Sequence, residues 1–141
     1  MKTIKIILIL LVLSKISVIA QTNVNLTGMW TFSDLSDPAT VFSLELFQNE
    51  NNITGNHCSV MFNGDFIDCE TPGEYAMFDG VSITGSIVND TATVTFKSTY
   101  YCDDIGIARI VKINEFQISW QVITPPNCGY FIPNEAILTK E

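Results

Sequence analysis

Residues 81–122 read VSITGSIVNDTATVTFKSTYYCDDIGIARIVKINEFQISWQV. Within them Val94 and Phe96 alternate with Thr93, Thr95 and Lys97. Phe116, Ile118, Trp120 and Val122 alternate with Gln117, Ser119 and Gln121. A period of two marks strands with one buried face. Thr, Val, Ile and Phe also suit a pleated surface better than a helix. Turn signals separate the runs at Asn89-Asp90, at Asp103-Asp104 with Gly106 close by, and at Asn114-Glu115. The stretch therefore predicts four short antiparallel strands joined by tight turns.

A two-residue turn at Asn114-Glu115 sets the register of the last pair. Ile113 then faces Phe116, Val111 faces Ile118, Arg109 faces Trp120, and Ile107 faces Val122. All partners of Arg109 on that face are apolar, so its guanidinium needs an aromatic ring, a carboxylate or a bound anion. Two inward readings stay open: a cation–π plug closing one end of a barrel, or an anchor for the acidic group of a ligand. One extra residue in the turn flips the face and puts Arg109 outside.

The chain begins with a targeting pattern. Lys2 and Lys5 precede the apolar run from Ile6 to Leu13, and Val18 and Ala20 frame a cleavage point before Gln21. The run is short for a spanning helix, and Lys15 interrupts its continuation. No Cys follows the cleavage point, so nothing suggests a lipid anchor. Residues 1–20 are expected to be a signal peptide and 21–141 a single domain, secreted to the extracellular space or the periplasm. No later stretch is apolar enough to cross a membrane as a helix. Once Met1 to Ala20 leave, the basic residues are Lys97, Arg109, Lys112 and Lys140 against 15 acids, a net charge of about −11. Such a chain repels phosphates, which excludes nucleic acid, and attracts cationic partners.

Four cysteines remain: Cys58, Cys69, Cys102 and Cys128. An even count in a secreted chain predicts two disulfides. Asn63-Gly64 is a two-residue hairpin signal. Counting outward from it, Met61 faces Phe66, Val60 faces Ile67, Ser59 faces Asp68, and Cys58 faces Cys69. The alternation makes the cysteines a hydrogen-bonded pair with a Cα separation of about 5.5 Å, within disulfide range. Cys102 and Cys128 then pair by elimination. There is no CxxC and only 1 His, which argues against a zinc site.

Taken in order, the mature chain predicts strands at Leu26 to Ser33, Thr40 to Gln48, Asn52 to Met61 and Asp65 to Glu70. A loop from Thr71 to Gly80 leads into the meander. A Pro-bearing loop from Thr124 to Asn134 then leads to a closing strand, Glu135 to Lys140. Eight or nine short antiparallel strands in sequence order predict an all-β, up-and-down barrel of about eight strands, with a β-sandwich as the alternative. A barrel of that size is filled by side chains or holds one small ligand.

Leu26-Thr27-Gly28-Met29-Trp30 resembles the Gly-x-Trp opening of the calycin superfamily, the lipocalins and avidins. The likeness extends to Asn52-Ile53-Thr54-Gly55, to mature length and to strand count. It implies a secreted eight-stranded barrel with a ligand in its mouth. It also implies that Trp30 is packed at the closed end, with a basic residue, Lys140 or Arg109, covering it. The lipocalin Thr-Asp-Tyr motif is absent, and only Trp30 and Trp120 stand where an avidin pocket has several tryptophans. The resemblance therefore extends to the fold and not to biotin.

Other constellations follow from the pairing. An even turn at Asn49 to Asn52 sets Leu44 opposite His57 and points His57 inward beside Ser59, across from Asp68 and Glu70. These four form a polar wall facing Arg109 and Trp120; an odd turn puts them outside, solvated. A His, a Ser and an acid without a nucleophile elbow are weak grounds for a triad. Tyr100-Tyr101 and Tyr130-Phe131 flank Cys102 and Cys128, where they either rim a pocket or cap the core. Asn25-Leu26-Thr27, Asn52-Ile53-Thr54 and Asn89-Asp90-Thr91 match the glycosylation acceptor pattern. The expected function is non-covalent binding of a small, partly apolar ligand by Arg109, Trp120, His57, Ser59, Glu70, Tyr101 and Tyr130, with no reaction and no built-in cofactor. The alternative is a protein-binding module, such as an inhibitor of a basic secreted enzyme. An open interior favours the first reading, and a packed one the second.

Overall fold

The computed structural model describes residues 24–33, 40–61, 64–70, 79–100 and 103–141. Nine strands are present among them: β1 (Gly28–Ser33), β2 (Val41–Asn49), β3 (Asn52–Met61), β4 (Phe66–Cys69), β5 (Ile83–Val88), β6 (Thr91–Lys97), β7 (Ile105–Asn114), β8 (Gln117–Thr124) and β9 (Glu135–Lys140). All neighbours are antiparallel, and eight strands close into a barrel in the order β1-β2-β3-β5-β6-β7-β8-β9, with β9 returning to β1. The ninth, β4, pairs with β3 outside that ring. The fold is thus the all-β barrel expected from the alternation, and not the sandwich. Both the leader, 1–20, and Cys102 of the second expected disulfide lie outside the described residues.

The two-residue beat sets the core. Phe42, Leu44 and Leu46 from β2, Val94 and Phe96 from β6, and Ile118 and Trp120 from β8 are buried inside. Trp120 meets Phe42 at 5.4 Å and Phe96 at 5.5 Å between ring centroids, both edge-on. Edge-to-face packing of that kind suits the ring quadrupoles. The three rings meet inside the barrel at this level.

One end is covered by residues 24–27. Gln48 holds this segment to β2: its Nε2 donates to the Val24 carbonyl, and its Oε1 accepts from Leu26 N, both at 2.8 Å. Trp30 is fully buried there and donates its indole N–H to the Leu26 carbonyl at 2.9 Å. Lys140 Nζ sits 5.3 Å from the Trp30 ring centroid, a cation–π distance. Lys140, not Arg109, is the covering basic residue. Gly28 makes this possible. Its φ of 140° disfavours any side chain, and a Cβ there would stand 2.9 Å from Lys140 Cε.

The β7–β8 register differs from the expected one. The turn residues are Glu115 and Phe116, so Asn114 pairs with Gln117. Asn114 Oδ1 accepts from Phe116 N at 2.8 Å, and its Nδ2 donates to Gln117 Oε1 at 2.9 Å. This side-chain turn moves the loop by one residue, as Asn does where its carboxamide mimics backbone. Irregularities between Ile107 and Ala108 and between Lys112 and Asn114 absorb the rest. Ile110 now faces Trp120, Arg109 faces Gln121, and Arg109 is exposed. The inward side of β7 carries Gly106, Ala108 and Ile110. Small residues belong there because neighbouring rings occupy the space: a Cβ on Gly106 would lie 2.2 Å from Phe96 Cζ.

The cystine hairpin pairs as read, Cys58 with Cys69, and the disulfide is formed. The bonding phase is the other one. Glu70 N donates to the His57 carbonyl at 2.9 Å, which makes the cysteines a non-hydrogen-bonded pair, with Cα atoms 3.9 Å apart.

Candidate functional site

β3 is the strand around which a polar cluster forms. Its edge is shared: residues 52–55 pair with β5 and residues 58–61 with β4. Between these two partners the ladder is interrupted at His57. Its carbonyl is met by Glu70 N, but its N–H faces the gap between strands. There Ser82 Oγ stands in for the missing backbone acceptor, 3.2 Å from His57 N. The same hydroxyl lies 2.6 Å from His57 Nδ1.

On the far side of the ring, His57 Nε2 lies 3.0 Å from Asp68 Oδ1. A carboxylate only accepts, so Nε2 carries a proton towards Asp68. Asp68 also accepts from Thr99 N at 2.7 Å and Thr99 Oγ1 at 3.0 Å. Its second oxygen accepts from Ser98 Oγ at 2.6 Å and Phe131 N at 3.2 Å. These bonds join β4 to the chain leaving β6 and to the last loop, closing the barrel wall where β5 does not reach. Burial pushes the Asp68 carboxyl up. The hydrogen bonds from His57 and Ser98, the charge of His57 and the Thr99 amide outweigh it and hold the group well below the usual carboxylate range.

Ser59 donates to the Phe131 carbonyl at 2.6 Å. Glu70 Oε1 accepts from Gly80 N at 2.9 Å, which ties the residue after β4 to the one leading towards β5. His57, Ser59, Asp68 and Glu70 are all buried. Of the two readings, an inward wall or a solvated outer one, the buried one holds, but Arg109 does not face it. Ser82, Ser98 and Thr99, which complete the cluster, were absent from the sequence reading. Ser82 and His57 are 25 residues apart, and only the interrupted ladder joins them. Chemically the cluster contains a Ser, a His and an Asp in line. The Ser82 hydroxyl is occupied twice by His57, and Ser82 is 3% exposed. The arrangement is a clamp rather than an exposed nucleophile.

Above the clamp Phe66 stacks on Phe131 at 4.2 Å, and Tyr100 meets Phe131 edge-on at 4.4 Å. Tyr130 packs against the core and lies 6.1 Å from Phe96, its hydroxyl donating to Asn134 Oδ1 at 2.5 Å. These aromatics cap the core. Tyr101 lies outside the described residues. Asp104 Oδ2 accepts from Asn127 N and Nδ2, both at 2.9 Å, fastening the last loop to the start of β7. The Asn127 and Ile105 amides hold this carboxyl below its ordinary range.

A cleft lies where the barrel seam opens. β1 pairs with β9 only at Trp30–Lys140 and Thr31–Thr139, whereas β2 follows β1 out to Ser33. Beyond Thr31 the β1 and β9 strands part. The resulting cleft of about 550 Å³ is lined by Phe32, Ser119, Trp120, Gln121, Glu135, Ala136 and Ile137. Trp120 and Ala136 belong to its floor, since both are buried. Ser119, Gln121, Glu135 and Ile137 come from the outward positions of β8 and β9. Gln121 Nε2 donates to Glu135 Oε1 at 3.1 Å on the rim. Arg109, paired with Gln121, stands one strand further along the same outer row. Of the expected ligand-binding residues among the described ones, only Trp120 lines this cleft. Comparison of the chain with family models, with curated proteins and with solved structures gives no match.

Proposed function

We propose that the chain is a secreted, non-catalytic binding protein of calycin-like build, whose small, partly apolar ligand sits in the cleft between β1 and β9. The observation that carries this is the cleft itself. Its volume of about 550 Å³ falls in the range of small-molecule sites, and its lining combines apolar groups with a few polar ones. Phe32, Ile137 and the Trp120 edge supply apolar contact. Ser119, Gln121 and Glu135 offer hydrogen bonds, and Glu135 favours a ligand with a donor or a positive group. The barrel axis is the less suitable place, since Phe42, Trp120 and Phe96 meet inside it. The leader pattern and the Cys58–Cys69 disulfide support secretion. Trp30 under Lys140 supports the calycin-like reading.

The test uses an environment-sensitive anionic naphthalene dye and a panel of uncharged and cationic aromatic amines, with native mass spectrometry of the secreted protein. Ile137→Asp places a charge on the cleft wall at an exposed site. Binding of the anionic dye and of the uncharged amines is expected to weaken by roughly tenfold or more, while Ile113→Asp, exposed but away from the cleft, leaves it unchanged. Equal loss from both variants, or none from either, sinks the cleft as the site.

The rings that meet inside the barrel and the excess of acids favour a second reading, a module that binds a basic protein through its surface. Capture of lysozyme or a similarly basic enzyme at low salt, undiminished by Ile137→Asp, distinguishes it.

A further inference from the structure

The three Asn-x-Thr patterns are distant in sequence and lie together at the covered end of the barrel. Asn52 opens β3 directly after the turn at Glu50 and Asn51. Asn52 pairs with Ser86, and the Asn51 carbonyl accepts from Ile87 N at 2.8 Å, which sets the β5–β6 turn alongside. That turn is Asn89-Asp90, with φ of 49° and 65°, the tight hairpin geometry of two left-handed residues. Asn25 belongs to the segment that crosses this end, and its carbonyl accepts from Lys112 Nζ at 3.3 Å. All three asparagines are exposed.

A second observation points the same way. Phe47 and Val88 are 52% and 65% exposed, large apolar side chains facing water. Phe47 is paired with Thr54, the hydroxyl residue of one acceptor pattern, and Val88 immediately precedes Asn89 of another. An oligosaccharide on either asparagine would lie over these apolar side chains. The seam cleft lies towards the other end, beyond Thr31 of β1.

We infer that Asn25, Asn52 and Asn89 carry N-linked oligosaccharides, forming a sugar-covered pole that shields Phe47 and Val88 and leaves the cleft clear. The inference rests on the leader reading, because the donor is a lipid-pyrophosphate-linked oligosaccharide of the secretory membrane. In the transfer the carboxamide Nδ2 bonds to the anomeric carbon as its bond to the pyrophosphate oxygen breaks. The lipid pyrophosphate departs with the electron pair, and the amide proton goes to a base of the transferase. Attachment precedes folding, so each modified asparagine has to finish at the surface, as these three do.

The experiment expresses the full chain, leader included, in a eukaryotic secretory cell line. The secreted protein is compared by electrophoresis and intact mass before and after peptide N-glycosidase. Partial digestion is expected to give a ladder of three steps, and Asn25→Gln, Asn52→Gln and Asn89→Gln each remove one. A secreted chain whose mass the enzyme leaves unchanged overturns the inference. A variant that leaves the ladder intact removes its site from it. Retention in the cell with the leader uncut and no mass shift overturns the leader reading and the inference with it, a result distinct from secretion without sugar.

Discussion

Ser82 Oγ lies 2.6 Å from His57 Nδ1 and 3.2 Å from His57 N, so one hydroxyl completes both the ring and the backbone of the same residue. The ladder of β3 changes partner at this point, and no backbone acceptor serves the His57 N–H. Ser82→Ala therefore leaves two buried polar atoms without a partner. Each such atom costs about 1–3 kcal/mol. Urea unfolding is expected to show a lower midpoint with an unchanged slope. A variant as stable as the parent contradicts the clamp.

Asp68 gives the clamp its pH dependence. Its folded pKa lies below the unfolded value of about 3.9, so it binds protons more weakly when folded. The stability it contributes is complete above the unfolded value and is lost as pH falls through the folded one. Thermal midpoints are expected to fall progressively below about pH 4. Asp68→Asn removes the buried partner of His57 and is expected to cost about 3–5 kcal/mol at neutral pH. It also flattens the acid limb; an equally steep limb in the variant assigns the acid loss to other carboxylates.

The legible parts of this fold are those with local signals. β3 and β4 were readable because Asn63-Gly64 marks a turn between two alternating runs, and Cys58 and Cys69 fall at equal distances from it. β9 was readable from the Pro-bearing loop, Thr124 to Asn134, that sets off Glu135 to Lys140. β7 was not. Ile105, Ile107, Val111 and Ile113 occupy one face and Gly106, Ala108 and Ile110 the other, so both faces look apolar. Placing the two-residue turn at Asn114-Glu115 set the odd-numbered face against Trp120 and put Arg109 inside. Phe96 and Trp120 on adjacent strands already filled that space, and only small partners fit against them. The missed local sign was that Asn114 ends β7 and supports the turn at Glu115 and Phe116 through its side chain. The clamp and the cleft were illegible for another reason: they depend on where β3 changes neighbours and where β1 leaves β9, which no short window contains.

The corrected register makes a direct prediction. Arg109 is outside, beside Gln121, so Arg109→Ala is expected to change stability by less than about 0.5 kcal/mol. Ile110 is fully buried against Trp120, so Ile110→Ala is expected to cost about 2–5 kcal/mol through lost burial and a residual cavity. Denaturant midpoints for the two variants decide between registers. A reversed order restores Arg109 to the interior.

The Cys58–Cys69 bridge closes a loop with a sequence separation of 11. A loop of that size is worth about 2–3 kcal/mol in chain entropy. The hairpin also positions Ser59 and Asp68, the next pair along, so the bridge holds the strand that supplies the clamp. Replacing both cysteines by Ser is expected to lower stability by that amount. It is also expected to increase hydrogen exchange most at Asp68, Ser98 and Thr99, because the Asp68 side chain ties β4 to the chain leaving β6. The control is the pair of Ser82→Ala and the double Ser variant combined. Coupled sites that share the clamp give a combined loss that departs from the sum of the single losses, whereas independent sites add within about 0.5 kcal/mol. Simple additivity separates the disulfide from the clamp and confines its effect to the unfolded chain.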